Sequence, residues 1–336
     1  MIFFHFTYKR LFIICLYIII VFSCTKQESY EIRINTIETG INGAVRNIYF
    51  NNLDGSPVIY VCGGIRKQFG FIAYNYVGTN NWTKSYTNNR DIVYGLYFFD
   101  STTVYAFGDS LLLLRSNDNG KTWIHKIDMS YFWSMDRSGF RGLYFYNNRE
   151  AIAISNSNNI KGNIYTTKDG AVTWNSFQND NGLNDMWVFN DNTILAVGYG
   201  IVMKITDIGT KTKRLGMLGD HFTGVWFTNE TTGYMCGFNG GIYKTENKGE
   251  SWNMVFKDNN LLRKRYNFYD IVFISPNIGF VCGTNGSIFM TTNAGKTWKK
   301  IHAQIETDLY SMSVNNKILY CTSENGKIYF CGIDNF

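Results

Sequence analysis

The residues that could do chemistry are few and scattered. Two aspartates, Asp118 and Asp169, stand in matching local settings, and a pair of carboxylates is the acid and base of sugar hydrolysis. His125, His221 and His302 lie far apart with no nucleophile motif beside them, and the cysteines show no CxxC or Cys/His spacing of a metal site. The surroundings of the two aspartates explain them better. The phrase Ser116-Asn117-Asp118-Asn119-Gly120-Lys121-Thr122-Trp123 returns as Thr167, Asp169, Thr173, Trp174. It returns again as Thr245, Asn247, Gly249, Ser251, Trp252 and as Thr291, Asn293, Gly295, Thr297, Trp298. In a tight turn an Asp or Asn accepts backbone N–H bonds, Gly supplies positive φ, and the Ser/Thr hydroxyls bond locally. The Trp is an apolar anchor that leads into the next strand. The two aspartates are thus structural and form no catalytic pair.

Each phrase follows an apolar run: Leu111 to Leu114, Ile164-Tyr165, Ile242-Tyr243, Ile288-Phe289. The phrase resembles the Asp-box of the BNR-repeat β-propellers. Its flanks, such as Val225-Trp226-Phe227 and Gly233-Tyr234-Met235-Cys236-Gly237, resemble the photosystem II stability/assembly factor-like branch. The resemblance covers nearly all of the chain after residue 40 and implies an all-β, seven-bladed β-propeller over residues 30–336. Blades open at Arg46, Tyr94, Arg141, Asp185, Thr223, Tyr269 and Tyr310. The first box has decayed to Gly78 and Trp82, the third has Ala171 in place of Gly, and the fourth keeps only Asp207 and Gly209. Trp82 to Trp123 spans 41 residues, Trp123 to Trp174 spans 51, and Trp174 to Trp252 spans 78, room for two blades. The last blade has three strands, and Tyr30 to Thr36 reads as the strand that closes it, since a propeller leaves no open seam.

Asp-boxes also occur in sialidases, so catalysis has to be weighed. A sialidase needs three arginines on a carboxylate, a Tyr nucleophile with a Glu partner, and an Asp acid. Its Arg-Ile-Pro signature is absent, the two prolines being Pro57 and Pro276. The xyloglucan-hydrolase relatives use two propellers, and this chain has room for one. Two or more carboxylates at the channel mouth would favour cleavage; exposed Tyr131 and Trp133 without carboxylates would favour glycan binding.

The bulk properties agree with one large all-β domain: 336 residues, 45% hydrophobic and 17% aromatic. Residues 1–23 read as a signal peptide, with Lys9-Arg10 ahead of the apolar run Leu11 to Phe22. Val21-Phe22-Ser23-Cys24 resembles a bacterial lipobox, which implies acylation of Cys24 and a polar tether over 24–29. An uncleaved anchor, or ordinary cleavage near Ser23, is the alternative. Lys26-Gln27-Glu28 resembles the charged export signals of surface lipoproteins. The expected setting is a bacterial cell envelope, at the outer membrane, with acyl chains as anchor. Losing Lys9 and Arg10 takes the formal charge from +6 to about +4, and no Lys/Arg run argues for nucleic acid.

Cys15 lies in the leader. Cys62, Cys236, Cys282 and Cys321 read as one repeat register of core thiols. Stacked sheets lie about 10 Å apart, whereas a disulfide needs Cα atoms within about 7 Å; Cys321 with Cys331 is the one pair that could approach. The binding residues are expected on the face where inter-blade connectors and middle-strand loops gather. The connector 130–141 carries Tyr131, Trp133, Arg137 and Arg141; the connector 257–269 carries Arg263, Lys264 and Arg265; a loop adds Arg66. Aromatic plus arginine on loops is the chemistry of interface anchors, of sugar stacking and of acid capture. The expectation is a monomeric, cofactor-free binding or assembly scaffold whose partner is an envelope protein or a glycan.

Overall fold

Runs such as Ile194-Leu195-Ala196-Val197 are apolar at every position, and stacking of the blades explains why. In the computed structural model Ile194 and Ala196 pack with Ile152 and Ile154 of the preceding blade. Leu195 and Val197 pack with Phe222, Val225 and Met235 of the following one. A strand sandwiched between two sheets has no wet side, so it cannot alternate. The structure describes residues 30–31, 33–126, 139–157, 161–209, 211–216, 219–258 and 266–333.

The architecture is a seven-bladed β-propeller of antiparallel four-stranded blades. After β1 (Tyr30–Glu31) and β2 (Asn35–Glu38), blade one is β3 (Val45–Leu53), β4 (Ser56–Ile65), β5 (Phe69–Tyr76) and β6 (Thr83–Asn88). Blade two is β7 (Val93–Phe98), β8 (Val104–Gly108), β9 (Leu113–Ser116) and β10 (Ile124–His125). Blade three is β11 (Gly139–Phe145), β12 (Ala151–Asn156), β13 (Gly162–Thr167) and β14 (Asn175–Asn179). Blade four is β15 (Leu183–Val188), β16 (Ile194–Gly198), β17 (Ile201–Thr206) and β18 (Lys211–Gly216). Blade five is β19 (Phe222–Phe227), β20 (Gly233–Gly237), β21 (Gly241–Thr245) and β22 (Asn253–Lys257). Blade six is β23 (Phe268–Phe273), β24 (Gly279–Gly283), β25 (Ile288–Thr291) and β26 (Lys299–His302), and blade seven is β27 (Leu309–Asn315), β28 (Ile318–Ser323) and β29 (Lys327–Gly332).

Closure differs from the single N-terminal strand expected over Tyr30 to Thr36. The segment divides. β2 pairs antiparallel with β29 and completes blade seven, with Lys327 on Glu38 at 2.8 Å. β1 instead pairs parallel with β26 at the outer edge of blade six. The seam is therefore clasped on two blades, and strand edges that would template aggregation are covered there.

The repeated phrase builds the same network four times. The Thr122, Thr173, Ser251 and Thr297 amides each donate at 2.9 Å to Asp118, Asp169, Asn247 and Asn293. Two successive residues of each turn are left-handed; the second is Gly120, Gly249 or Gly295, whereas the third blade has Gly170 followed by Ala171 at φ 67°. For Asp169, burial pushes the carboxyl up, but hydrogen bonds from Thr173 and Thr167 outweigh it and hold it at about 2. The turn also reaches outward. Tyr60 Oη donates to Asn119 O at 2.7 Å, and Tyr234 Oη to Ala294 O at 2.8 Å, each from the preceding blade. Lys121 meets Asp54, and Lys248 meets Asp191, both at 2.7 Å. The phrase is a latch between blades as well as a hairpin staple. Trp123, Trp174, Trp252 and Trp298 stand immediately before the outer strands, as expected.

The cysteines need one correction. Cys62, Cys236, Cys282, Cys321 and Cys331 are buried free thiols, but Cys321 sits one residue out of the register of the others. Cys282 faces Asp270 across the ladder, while Cys321 faces Met312, the counterpart of Ile271. Cys321 therefore points back toward blade six and shares a core cluster with Cys282. Cys331 is diagonal to it, opposite Leu319; diagonal Cα atoms stand about 7–8 Å apart, outside disulfide reach.

Glycines end the second strands for a packing reason. A Cβ on Gly108, Gly198 or Gly283 would lie 1.9–2.0 Å from the carbonyl oxygen of Ile92, Gly182 or Asn267. That oxygen is held close because the next residue donates to it: Asp109, Tyr199 and Thr284 at 2.9–3.0 Å. The backbone of Gly283 is extended (φ −177°), so close approach alone requires glycine. Gly283→Ala is expected to cost about 1–3 kcal/mol through overpacking against backbone, measured by equilibrium denaturation, while Gly332→Ala, with open space around it, changes stability little.

Candidate functional site at the channel mouth

The innermost strand of every blade carries a bulge at its start. One residue is left unpaired between Val45 and Asn47, Val93 and Gly95, Phe140 and Gly142, and Leu183 and Asp185. The same happens between Phe222 and Gly224 and between Phe268 and Asp270, while in blade seven Tyr310 and Ser311 between Leu309 and Met312 face the single Thr322, again one residue in excess. A bulge re-aims the extra side chain, and here the extra residues are Arg46, Tyr94, Arg141, Asn184, Thr223, Tyr269 and Tyr310. The sequence has blade four opening at Asp185, in line with the other six; the register puts Asn184 in that position and moves Asp185 one residue further in.

Two of the ring's residues are arginines, each lying on a tyrosine of the same ring. The Arg46 guanidinium lies 3.8 Å from the Tyr310 ring centroid, and that of Arg141 3.4 Å from Tyr94. Stacking of this kind pre-orients a planar guanidinium. Arg46 Nε and Arg141 Nη1 are buried nitrogens with no hydrogen-bond partner. Arg66 and Arg141, predicted separately, converge on one carboxylate: Asp109 Oδ2 is 3.8 Å from Arg66 Nε, and Oδ1 is 3.9 Å from Arg141 Nη1. Burial raises the Asp109 carboxyl, and both arginines oppose that rise. At those separations the pairs are loose, and the cleft beside them holds only about 40 Å³ among Arg66, Lys67, Arg90, Asp91, Asp109 and Ser110. Arg66 itself is 57% exposed.

One residue along the strand from the ring stand two half-buried carboxylates, Asp185 and Asp270. Asp185 accepts from the amides of Met186 and, across the blade boundary, Val225, both at 2.8 Å. Asp270 accepts from Ile271 at 2.8 Å and from Met312 of blade seven at 2.7 Å. Burial pushes Asp185 up to about 7, against the Val225 hydrogen bond and helped by the charge of Asp270. Burial likewise takes Asp270 to about 6. Other polar groups join neighbouring blades at this depth: Tyr49 Oη accepts from Leu96 N at 3.0 Å, and Ser311 Oγ donates to Asn47 Oδ1 at 3.0 Å.

Cys24, Tyr131, Trp133, Arg137, Arg263, Lys264 and Arg265 lie outside the described residues. Asp118, Asp169, Asn247 and Asn293 are spent in their turns. Sequence reasoning missed Asp109 and Asp270, and with them Tyr199 and Phe238. A usable signal existed for three of them: Asp109, Tyr199 and Phe238 each directly follow a strand-ending glycine.

The fold and this ringed mouth define a seven-bladed β-propeller. The sequence matches no protein-family model and no curated protein. Among solved structures it is similar to YCF48 bound to D1 peptide, at TM-score 0.70 and 15% identity over 91% of this chain and 99% of that one. It is similar to YCF48 from Cyanidioschyzon merolae, at TM-score 0.68 and 13% identity, covering 90% of this chain and 99% of that chain. It is also similar to virginiamycin B lyase from Staphylococcus aureus, at TM-score 0.68 and 12% identity, again over 90% and 99%. At these identities the likeness is one of fold.

Proposed function

We propose that this protein is a non-catalytic scaffold, anchored to a bacterial envelope membrane through Cys24, whose channel-mouth face holds an acidic segment of a protein partner. One observation carries the reading. Arg46 and Arg141 are stacked and pre-oriented at the mouth, and a planar guanidinium held in place fits an incoming carboxylate. YCF48, on the same fold, has been solved with a peptide bound, which supports a peptide as the partner's form. The four repeated turns support the Asp-box assignment.

Hydrolysis of a glycan, the second reading, has Asp185 and Asp270 in its favour: two half-buried carboxylates with raised proton affinity. A general acid must present an oxygen to substrate. All four oxygens here accept backbone amides, so the pair reads as ring closure.

The test is a pull-down from detergent-solubilised envelope, with acylated protein as bait beside Arg46→Ser and Arg46→Ser/Arg141→Ser variants of verified thermal stability. The double variant is expected to retain its partner ten- to a hundredfold less well. Retention of no protein by wild type, with polysaccharide bound by the soluble domain, overturns the scaffold reading. Cys24→Ala is expected to move the protein from the membrane to the soluble fraction; continued membrane association removes the lipid anchor from the proposal.

A further inference from the structure

Half of the mouth is lined by an unbroken series of ring contacts. Tyr199 meets His221 at 5.4 Å, His221 meets Phe238 at 4.2 Å, Phe238 meets Tyr269 at 5.6 Å, and Tyr269 meets Tyr310 at 5.3 Å between centroids. The series ends on Arg46, stacked over Tyr310. It crosses four blades in order, and the backbone fixes its members. Tyr199 and Phe238 are the residues whose amides are tied to Gly182 O and His221 O. Tyr269 and Tyr310 are bulge residues of the mouth ring, and the Tyr269 hydroxyl is held by Asp308 Oδ2 at 3.2 Å. The arc is thus placed by the scaffold rather than by loop packing. Tyr199, at its outer end, is 47% exposed.

We propose that this arc is a track for an extended peptide tail, with apolar or aromatic side chains over Tyr199, Phe238 and Tyr269 and a terminal carboxylate at Arg46. The proposal rests on the mouth being the binding face and adds the partner's chemistry and direction. Three features select a peptide. The contacts along the track are tilted or edge-on, 76° and 88° at two of the four, so rings present alternating edges and faces. That corrugation suits side chains that alternate along an extended backbone, whereas a pyranose needs a flat exposed face. The contour of about 20 Å matches about six extended residues at roughly 3.3 Å each. Among the described residues the cation stacked on this series is Arg46, at its Tyr310 end, which fits a single terminal anion.

The test uses the full chain, immobilised, against a random hexapeptide library displayed with free C-termini. The strongest binder is then resynthesised and measured by fluorescence anisotropy. Enrichment of aromatic or apolar residues upstream of the terminus is expected, with at least tenfold weaker binding for Phe238→Ser and Tyr199→Ser. A similar loss is expected for the C-terminally amidated peptide on wild type, and no further loss from amidation on Arg46→Met. Absence of enrichment, binding indifferent to the arc variants, or preferential capture of neutral oligosaccharides by the same rings overturns the track. A native partner lost with Arg46 and Arg141 but indifferent to Phe238→Ser would leave the scaffold reading standing and remove this one.

Discussion

Tyr234→Ala is expected to destabilise the propeller by about 3–5 kcal/mol, the range for deleting a buried aromatic side chain. Tyr234 is fully buried, stacks on Phe273 of blade six at 4.1 Å, and donates to Ala294 O. A Cβ on Gly295 would lie 2.6 Å from its Cε1, so the ring fills the space that the left-handed glycine of the next turn leaves open. Tyr234→Phe keeps the ring and loses only the hydroxyl, and should cost about 1–2 kcal/mol for the stranded carbonyl. The two variants separate the roles of the repeated phrase. A staple that served only its own hairpin would be indifferent to the preceding blade. Equilibrium denaturation reads the difference as a fall in midpoint at constant slope. A Tyr234→Phe variant as stable as wild type would show that the hydroxyl does not tie the turn to the preceding blade, and the latch would fail. Tyr60, with the same bond to Asn119 O, is the independent repeat of the experiment.

Blade number and order were legible because the phrase repeats at near-fixed intervals and its residue types are dictated by a turn. The position of Trp174 or Trp298 follows from local chemistry. The division of Tyr30 to Thr36 was not legible: β1 finds its partner at His302, far away in sequence, and alternation carries no information about which edge is free. The ring was read one residue wrong at Asp185 because a bulge shifts the register without marking the sequence. Cys321 was misplaced because Ser323, two residues on, stands where the other blades have the strand-ending glycine, which makes Thr322 the counterpart of Cys282. At the mouth, Arg66 and Arg141 were legible as arginines on loops. Their meeting on Asp109 depends on three blades packing side by side. Tyr199 and Phe238 each follow a strand-ending glycine, but nothing local joins them to one another or to His221, because what unites the three is rotation about the channel axis.

The propeller's stability is expected to fall as pH rises through 6 to 7, and the Asp185→Asn/Asp270→Asn variant should remove that fall. The sign follows from the folded values. Both carboxyls are raised above the ordinary 3.8, to about 7 and about 6, so the fold prefers their protonated forms. That preference is fully present below about pH 4 and is lost as each group ionises. For Asp185 the gap corresponds to a ceiling of about 4 kcal/mol at 1.36 kcal/mol per pH unit, and the partial exposure of both residues lowers it, so a loss of about 2–4 kcal/mol for the pair is expected. Each Asn substitution sets an amide NH₂ against a backbone N–H, which costs stability at every pH; the slope between pH 5 and 8, rather than its level, is therefore the readout. Among the groups around the pair, Tyr49, Cys236 and Cys282 are themselves held neutral by burial, and they do not titrate in this window. A slope abolished in the double variant ties the two acids to closing blade four on five and six on seven. A slope that survives would mean the acids are already ionised in the fold, free to bind a cation or polarise a substrate, and the hydrolytic reading would regain the residues it needs.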